Sequence, residues 1–159
     1  MVASSRTLAD QDRLTALEKL AEMCARVGWD GYDALPVSHA SLQAAREFSG
    51  ALPEEWPVPE ISADPDGGIS FEWARSPHWV FTLSVASDRQ VSYAGLFGSS
   101  RVHGVEPFSG TIPGSIRDGL GRLFRNTAAG PLPPSRLPPA PAPAAVRWPA
   151  ERLGETIAR

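Results

Sequence analysis

Half of the sixteen prolines in this chain of 159 residues fall between Pro131 and Pro149. Proline has a fixed φ and no backbone N–H, so a segment this rich in it forms neither helix interiors nor central strands. The fold must therefore be built from about the first 126 residues. Residues 127–159 are predicted to be a Pro/Ala-rich arm whose last ten residues can form a short helix, and which serves as a spacer or as a ligand.

The remaining residues are enough for one domain with one core. No run approaches the roughly 18 consecutive apolar residues of a membrane span, and the charges at Arg6, Asp10 and Asp12 do not fit a secretory signal. The single cysteine, Cys24, excludes an intramolecular disulfide. We therefore expect a cytoplasmic protein that does not enter a membrane.

The charge is divided unevenly along the chain. Residues 1–113 carry eight basic residues against fifteen acidic ones, whereas residues 114–159 carry seven arginines against three acids. The acidic part disfavours nucleic acid at long range, while the arginines of the arm favour an acidic protein or a nucleic acid.

Apolar residues at three- and four-residue spacing predict a first helix over residues 7–27, ended by Gly28. A second helix is predicted over residues 38–51, with Ser38 as its N-cap. The stripe that the first helix turns inward consists of Leu14, Leu17, Leu20, Ala21, Cys24 and Val27.

Between residues 58 and 97 apolar and polar residues alternate, which predicts four short antiparallel strands. They are expected over residues 58–63, 69–74, 79–85 and 90–97, with a tight turn at 64–68. The pairs that keep the apolar side chains on one face are Trp73 with Trp79, Phe71 with Phe81, Val85 with Val91 and Leu83 with Tyr93.

Residues 95–110 are predicted to form a mobile Gly/Ser-rich loop, followed by a third helix that Pro113 opens. Three glycines in that helix, among them Gly119, count against it. The predicted fold is α+β in two layers. It is a one-sided antiparallel four-stranded meander covered by two N-terminal helices and one C-terminal helix, with a Pro-rich tail. The core is expected to contain Leu17, Leu20, Phe48, Phe71, Trp73, Phe81, Leu83 and Tyr93.

The most distinctive segment is GWDGYDALP at residues 28–36. One interpretation is a structural corner with an Asx-type turn at Asp30, in which Trp29 and Tyr32 pack down on the sheet. The other interpretation is a surface site in which these aromatics, with the carboxylates of Asp30 and Asp33, hold a cationic group of a partner.

At this segment the chain resembles a widespread group of small, uncharacterised bacterial proteins. In that group a leucine-rich helix runs into a GWDGYxAxP-like corner, followed by a helix, a P-D-G-G turn and a strand ending in E-W. The matching residues here are 28–36, Leu52-Pro53, 65–68 and Glu72-Trp73, and the resemblance spans about residues 14–95. It implies this architecture and a bacterial cytoplasm or a mobile element as the setting, and it implies no activity.

Glu72 and His78 are a possible acid–base pair on the sheet face away from the core, but the expected register makes them diagonal neighbours rather than an aligned dyad. The three histidines lie too far apart in sequence to predict a metal site, and no Walker loop, nucleophile elbow or HExxH motif is present. Cys24 is expected to be a small buried hydrophobe. No catalytic residue, cofactor or metal is predicted.

The leading hypothesis is a non-enzymatic protein-interaction module, such as an inhibitor, antitoxin or accessory subunit in a bacterial or phage defence-related system. A homo-oligomer is a further option. One alternative is a small ligand-binding domain or enzyme that uses the Trp29 corner with Glu72 and His78, and another is a nucleic-acid-associated protein that uses the arginines of the arm. The predicted partner-binding residues are Trp29, Asp30, Tyr32, Asp33, Trp148, Leu153 and Ile157.

Overall fold

The structure is a computed structural model that describes residues 8–125. The predicted arm, with Trp148, Leu153 and Ile157, lies outside the described residues. The elements are α1 (Leu8–Met23), α2 (His39–Ala51), β1 (Glu60–Ala63), β2 (Ile69–Ser76), β3 (Trp79–Val85), β4 (Gln90–Phe97), β5 (Ser100–Pro107) and α3 (Gly114–Arg125). The five strands form one antiparallel sheet in chain order, and the helices pack on it, so the predicted α+β class is confirmed.

Helix α1 ends four residues earlier than predicted. The last helical bond runs from the N–H of Cys24 to Leu20 O at 2.9 Å, and the carbonyl of Cys24 then accepts the N–H of Val37 instead of continuing the helix. Val27 is consequently 71% exposed, so its predicted place on the buried stripe is wrong. The prediction that Cys24 is buried is confirmed, and this burial raises the pKa of its thiol.

Helix α2 begins as predicted. The side chain of Ser38 accepts the N–H of Ser41 at 3.0 Å, which satisfies one of the free donors of the first turn. Phe48 is fully buried, with its ring centroid 5.5 Å from that of Phe71 and 5.3 Å from that of Phe108. This helix thus anchors the core to the sheet and to the segment after β5.

The register of the β3–β4 hairpin is confirmed, since Val85 pairs with Val91 and Leu83 with Tyr93. The predicted β2–β3 register is wrong by two residues: Trp73 lies opposite Phe81, and Phe71 lies opposite Leu83. The strands extend past a bulge to a two-residue turn at 77–78, which shortens the loop. A shift of two keeps every side chain on its predicted face.

The region predicted as a loop over residues 95–110 contains the end of β4 and a fifth strand, β5. A two-residue turn at Gly98 and Ser99 joins the two strands, with Gly98 at a φ of +67°. Tyr93 lies across from Gly104, where a Cβ would come within 2.6 Å of the phenol oxygen. The aromatic ring therefore fills the space above the glycine.

Helix α3 follows Pro113 as predicted, and its central glycine proves necessary. A Cβ at Gly119 would lie 2.3 Å from the ring of Phe81, so only glycine lets the helix approach the sheet this closely. The buried cluster contains Leu17, Phe48, Phe71, Trp73, Phe81 and Leu83, with Leu20 and Tyr93 half-buried at its margin. None of the helices within residues 8–125 is long and apolar enough to cross a membrane.

Candidate interaction surface at the corner

The connection between α1 and α2, residues 24–37, is a closed loop. The N–H of Val37 donates to Cys24 O at 3.0 Å, and the N–H of Gly28 donates to Ala34 O at 2.8 Å. Its ends therefore meet, as in an Ω-loop, which is a compact loop type that often carries function. We call this loop the corner.

Inside the corner, Trp29 packs against the hydrophobic cluster, and its indole N–H donates to Leu35 O at 2.9 Å. Gly28 has a φ of +72°, and a Cβ there would lie 2.7 Å from the backbone oxygen of Tyr32. Only glycine fits both the backbone angle and this contact. The predicted reversal at Gly28 is thus present, although Gly28 shapes the corner rather than ending the helix.

The side chain of Asp30 stabilises the turn of the corner by accepting hydrogen bonds from backbone groups of the same loop. One oxygen of its carboxylate, Oδ1, accepts the N–H of Tyr32 at 2.9 Å and that of Ala34 at 3.3 Å. The first bond is that of an Asx turn, in which an Asp side chain replaces a backbone acceptor. Asp33 is exposed, so of these two carboxylates only Asp30 carries part of the loop structure.

The outer surface of the corner is apolar. Tyr32 is 80% exposed, so the prediction that it packs down on the sheet is wrong, whereas Trp29 does pack inward. We call the four large apolar side chains that the corner and the adjoining end of α1 expose the corner patch: Met23, Val27, Tyr32 and Leu35. The sequence analysis did not predict that Met23, Val27 and Leu35 are exposed. For Met23 the sequence held an indication of exposure, because this apolar helix residue lies outside the stripe that faces inward.

The corner is fixed to the turn between β1 and β2. The N–H of Leu35 donates to Pro65 O at 2.8 Å, and the backbone oxygen of Pro36 approaches Gly67 so closely that a Cβ there would lie 2.9 Å from it. Two motif segments separated in sequence, 28–36 and 65–68, thus lie against each other. The corner is therefore held by the sheet as well as by its own bonds.

The β1–β2 turn is itself tied to the open face of the sheet. The carboxylate of Asp64 accepts the hydroxyl of Ser70 at 2.7 and 2.8 Å, and it also accepts the hydroxyl of Ser84. These bonds join the turn to β2 and to β3. The hydrogen bonds that hold the corner in place therefore extend to β3, the central strand of the sheet.

The charges around the corner patch are mostly acidic. Asp30, Asp33 and Asp66 are exposed, and the one basic residue between positions 20 and 38 is Arg26, which is exposed beside Val27. Carboxylates that surround apolar side chains favour a partner whose apolar surface has basic residues at its margin.

The structure does not bring together the residues of the predicted enzyme alternative. The corner contacts the turn before β2, whereas His78 lies in the turn after it. An eight-residue strand, at about 3.3 Å per residue, separates them by about 25 Å. Glu72 lies between these ends and accepts the hydroxyl of Thr82 at 3.0 Å. Trp29, Glu72 and His78 therefore do not form one site.

A groove of about 390 Å³ between α1 and α2 was not predicted. Its lining pairs opposite charges, since Arg46 donates to Glu18 at 2.7 Å, and next to it Arg13 is fully buried and donates to Asp10. Within residues 8–125, no group of three or more side chains is arranged to hold a metal ion. The three carboxylates of the lining, Asp10, Glu18 and Glu47, are each already paired with an arginine, so the corner patch is the better candidate surface.

Comparison of the chain with protein-family models, with curated proteins and with solved structures finds no match.

Proposed function

We propose that this protein is a non-enzymatic interaction module that binds another protein through the corner patch. The observation that carries the proposal is the exposure of four large apolar side chains on and beside a loop whose backbone is internally bonded. Four of the seven large apolar side chains exposed in the described part of the chain lie within residues 23–35, and clustered apolar residues mark an interaction site more often than single ones scattered over the surface.

The rigidity of the corner supports binding. Trp29 and Asp30 hold its shape with side-chain hydrogen bonds, and the β1–β2 turn supports it from below. A surface that is already ordered loses little conformational entropy on association, so more of the contact energy appears as affinity. Tyr32 is exposed in the corner, and tyrosine is one of the residue types enriched in binding hot spots.

The apolar and acidic residues of the corner also indicate what kind of partner surface fits it. An apolar patch beside three carboxylates fits a protein surface with an apolar depression and arginine or lysine at its rim. A small acidic protein that covers such a surface in a bacterial cytoplasm suits the role of an inhibitor or an accessory subunit.

The decisive experiment places a photo-crosslinking amino acid at position 32 in the full-length protein, in cells of the native host. The matched control places it at Val58, which is exposed before β1, away from the turn that contacts the corner. We expect one specific protein adduct from position 32 and none from position 58. Binding of that purified partner should weaken about 30-fold for Tyr32→Ala, the level of a hot spot, and little for Val58→Ala.

Equal adducts from both positions, or equal effects of both substitutions, would contradict the proposal. The contribution of Trp148, Leu153 and Ile157 stays a prediction. A chain that ends at residue 126 separates the two surfaces: if it loses binding while Tyr32→Ala retains it, the arm and not the corner is the main binding site.

A further inference from the structure

Strand β5 leaves one set of backbone groups without a strand neighbour. The turn at residues 98–99 makes Phe97 and Ser100 a hydrogen-bonded pair, and bonded pairs then alternate along the hairpin. The residues of β5 that bond to β4 are therefore Ser100, Val102, Gly104 and Glu106. The N–H and C=O groups of Arg101, His103 and Val105 point away from β4, and in the described part of the chain no strand lies on that side.

The two edges of the sheet differ in accessibility. The other edge, β1, has only four residues, and α1 packs against it. Strand β5 has eight residues and pairs with β4 without a bulge, and the side chains of Arg101, His103 and Val105 are all exposed. Of the usual protections of an edge, β5 has no bulge, lysine or covering helix among the described residues, and it has one exposed charge, Arg101, and a proline only at its last position, Pro107.

We infer that β5 pairs antiparallel with the β5 of a second copy of this chain, with the two-fold axis at His103. This register places His103 opposite His103 of the partner subunit and Arg101 opposite Val105 of the partner subunit. The three outward residues of each strand then exchange six backbone hydrogen bonds across the axis. A closed pair follows, because a two-fold axis at His103 pairs each β5 edge with the other β5 edge alone.

The side chains fit this register as well. On the open face, the exposed Val105 lies beside the aliphatic stem of the partner's Arg101, and like charges do not face each other. On the other face, Ser100 lies opposite the partner's Glu106; one carboxylate oxygen of Glu106 accepts the hydroxyl of Ser115 in its own chain, and the other oxygen faces the Ser100 hydroxyl donor. Strand pairing without a large apolar contact predicts a modest dimer, with a dissociation constant of about 10 to 100 μM.

Cysteine cross-linking tests the register directly. The two residues at position 103 lie about 5.5 Å apart between Cα atoms, which suits a disulfide, whereas those at position 105 are offset by four residues, or about 13 Å. The only native cysteine, Cys24, is buried. We expect mild oxidation to cross-link His103→Cys into a dimer and to leave Val105→Cys monomeric. Equal yields from the two variants would overturn the register.

Sedimentation velocity tests the interface itself. Wild-type protein should shift with concentration towards twice its monomer mass of 17.0 kDa. Val105→Pro removes an outward N–H without touching a β4 bond and should weaken dimerisation at least 10-fold, while Val105→Thr should not.

A second pair of variants is His103→Lys and His103→Gln. Lysine places two positive charges at the two-fold axis and should weaken dimerisation, whereas glutamine adds no charge. A wild type that stays monomeric up to about 500 μM, or proline and lysine variants that dimerise like wild type, overturns the inference. The corner patch takes no part, so Tyr32→Ala should leave dimerisation unchanged.

Discussion

The corner exposes apolar side chains to solvent, whereas the β5 edge exposes backbone hydrogen-bonding groups. In the corner, backbone groups are bonded within the loop or to the β1–β2 turn, and apolar side chains such as Tyr32 face solvent. In β5 the backbone of Arg101, His103 and Val105 has no strand neighbour within the described residues, whereas the side chains are mostly polar or small. Side-chain surface recognises one partner by shape, while backbone surface accepts any strand of suitable register. The comparison is consistent with the two proposals, of selective binding at the corner and self-association at the edge.

The largest expected effect comes from the core that both surfaces share. Phe81 is fully buried, stacks 5.8 Å from Tyr93 and contacts α3 at Gly119. Phe81→Ala should lower the free energy of unfolding by about 3 to 5 kcal/mol, because it leaves a large cavity. Urea denaturation measures this loss. The control is Val80→Ala, the next residue, which is half-buried on the opposite face and should lose about 1 kcal/mol or less. Similar losses in both variants would show that the core lies elsewhere.

A smaller effect is expected at the two glycines of the corner, which form a matched pair. Both have positive φ, +72° at Gly28 and +86° at Gly31, but a Cβ at Gly31 meets nothing within 4 Å. Gly31→Ala should therefore cost only the conformational penalty of about 1 kcal/mol. Gly28→Ala adds the clash with Tyr32 O and should cost about 3 kcal/mol. Thermal or urea unfolding measures the difference, and equal losses would mean that Gly28 does not close the corner.

These substitutions also separate what the sequence could predict from what it could not. The α+β class, the Ser38 cap and the pairing of Val85 with Val91 followed from local chemistry and from the alternation of apolar residues. The exposure of Val27 did not follow, because a tertiary hydrogen bond from Val37 to Cys24 replaces the next turn of α1. No local pattern reports a bond across thirteen residues.

Strand β5 and Gly119 were misread for related reasons. The strand has few apolar residues, and its pairing relies on backbone bonds to β4 and on Tyr93 above Gly104, so alternation gave little signal. Gly119 counts against a helix by propensity, yet it is what allows α3 to reach Phe81. At the corner, the sequence predicted the Asx turn and the distinctive aromatics. It could not predict which aromatic faces inward, because that depends on the position of the β1–β2 turn.

The carboxylates of the corner provide the next comparison. Asp30 accepts two backbone N–H groups, whereas Asp33 is exposed and no hydrogen bond or ion pair to it is found among the described residues. Asp30→Ala should lower the free energy of unfolding by about 1 kcal/mol, the typical value of a side-chain cap. Asp33→Ala should leave it unchanged and should act only on the affinity for a basic partner. If Asp33→Ala destabilises the fold as much as Asp30→Ala, the two carboxylates do not have these separate roles.

The smallest effect is expected at an ion pair between α2 and the β3–β4 turn. Arg89 donates to Glu47 at 2.6 Å, and Glu47 lies towards the end of α2, ten residues past the corner. The backbone of Arg89 accepts the N–H of Phe108 at 2.8 Å, directly after β5. The hydrogen bond from Arg89 holds the pKa of Glu47 below its ordinary value of 4.5.

The lowered pKa of Glu47 determines how the stability of the fold changes with pH. A carboxyl group whose pKa is lower in the folded state stabilises the fold above its unfolded value, and this stabilisation is lost as pH falls through the folded value. Below pH 4.5 the parent protein should therefore lose stability more steeply than Glu47→Gln, while Glu22→Gln, at an exposed site on α1, should follow the parent. Thermal melts from pH 6 down to about pH 3 measure the slopes at low salt, where a partly exposed pair is least screened. If Glu47→Gln keeps the acid slope of the parent, the Glu47–Arg89 ion pair does not stabilise the fold.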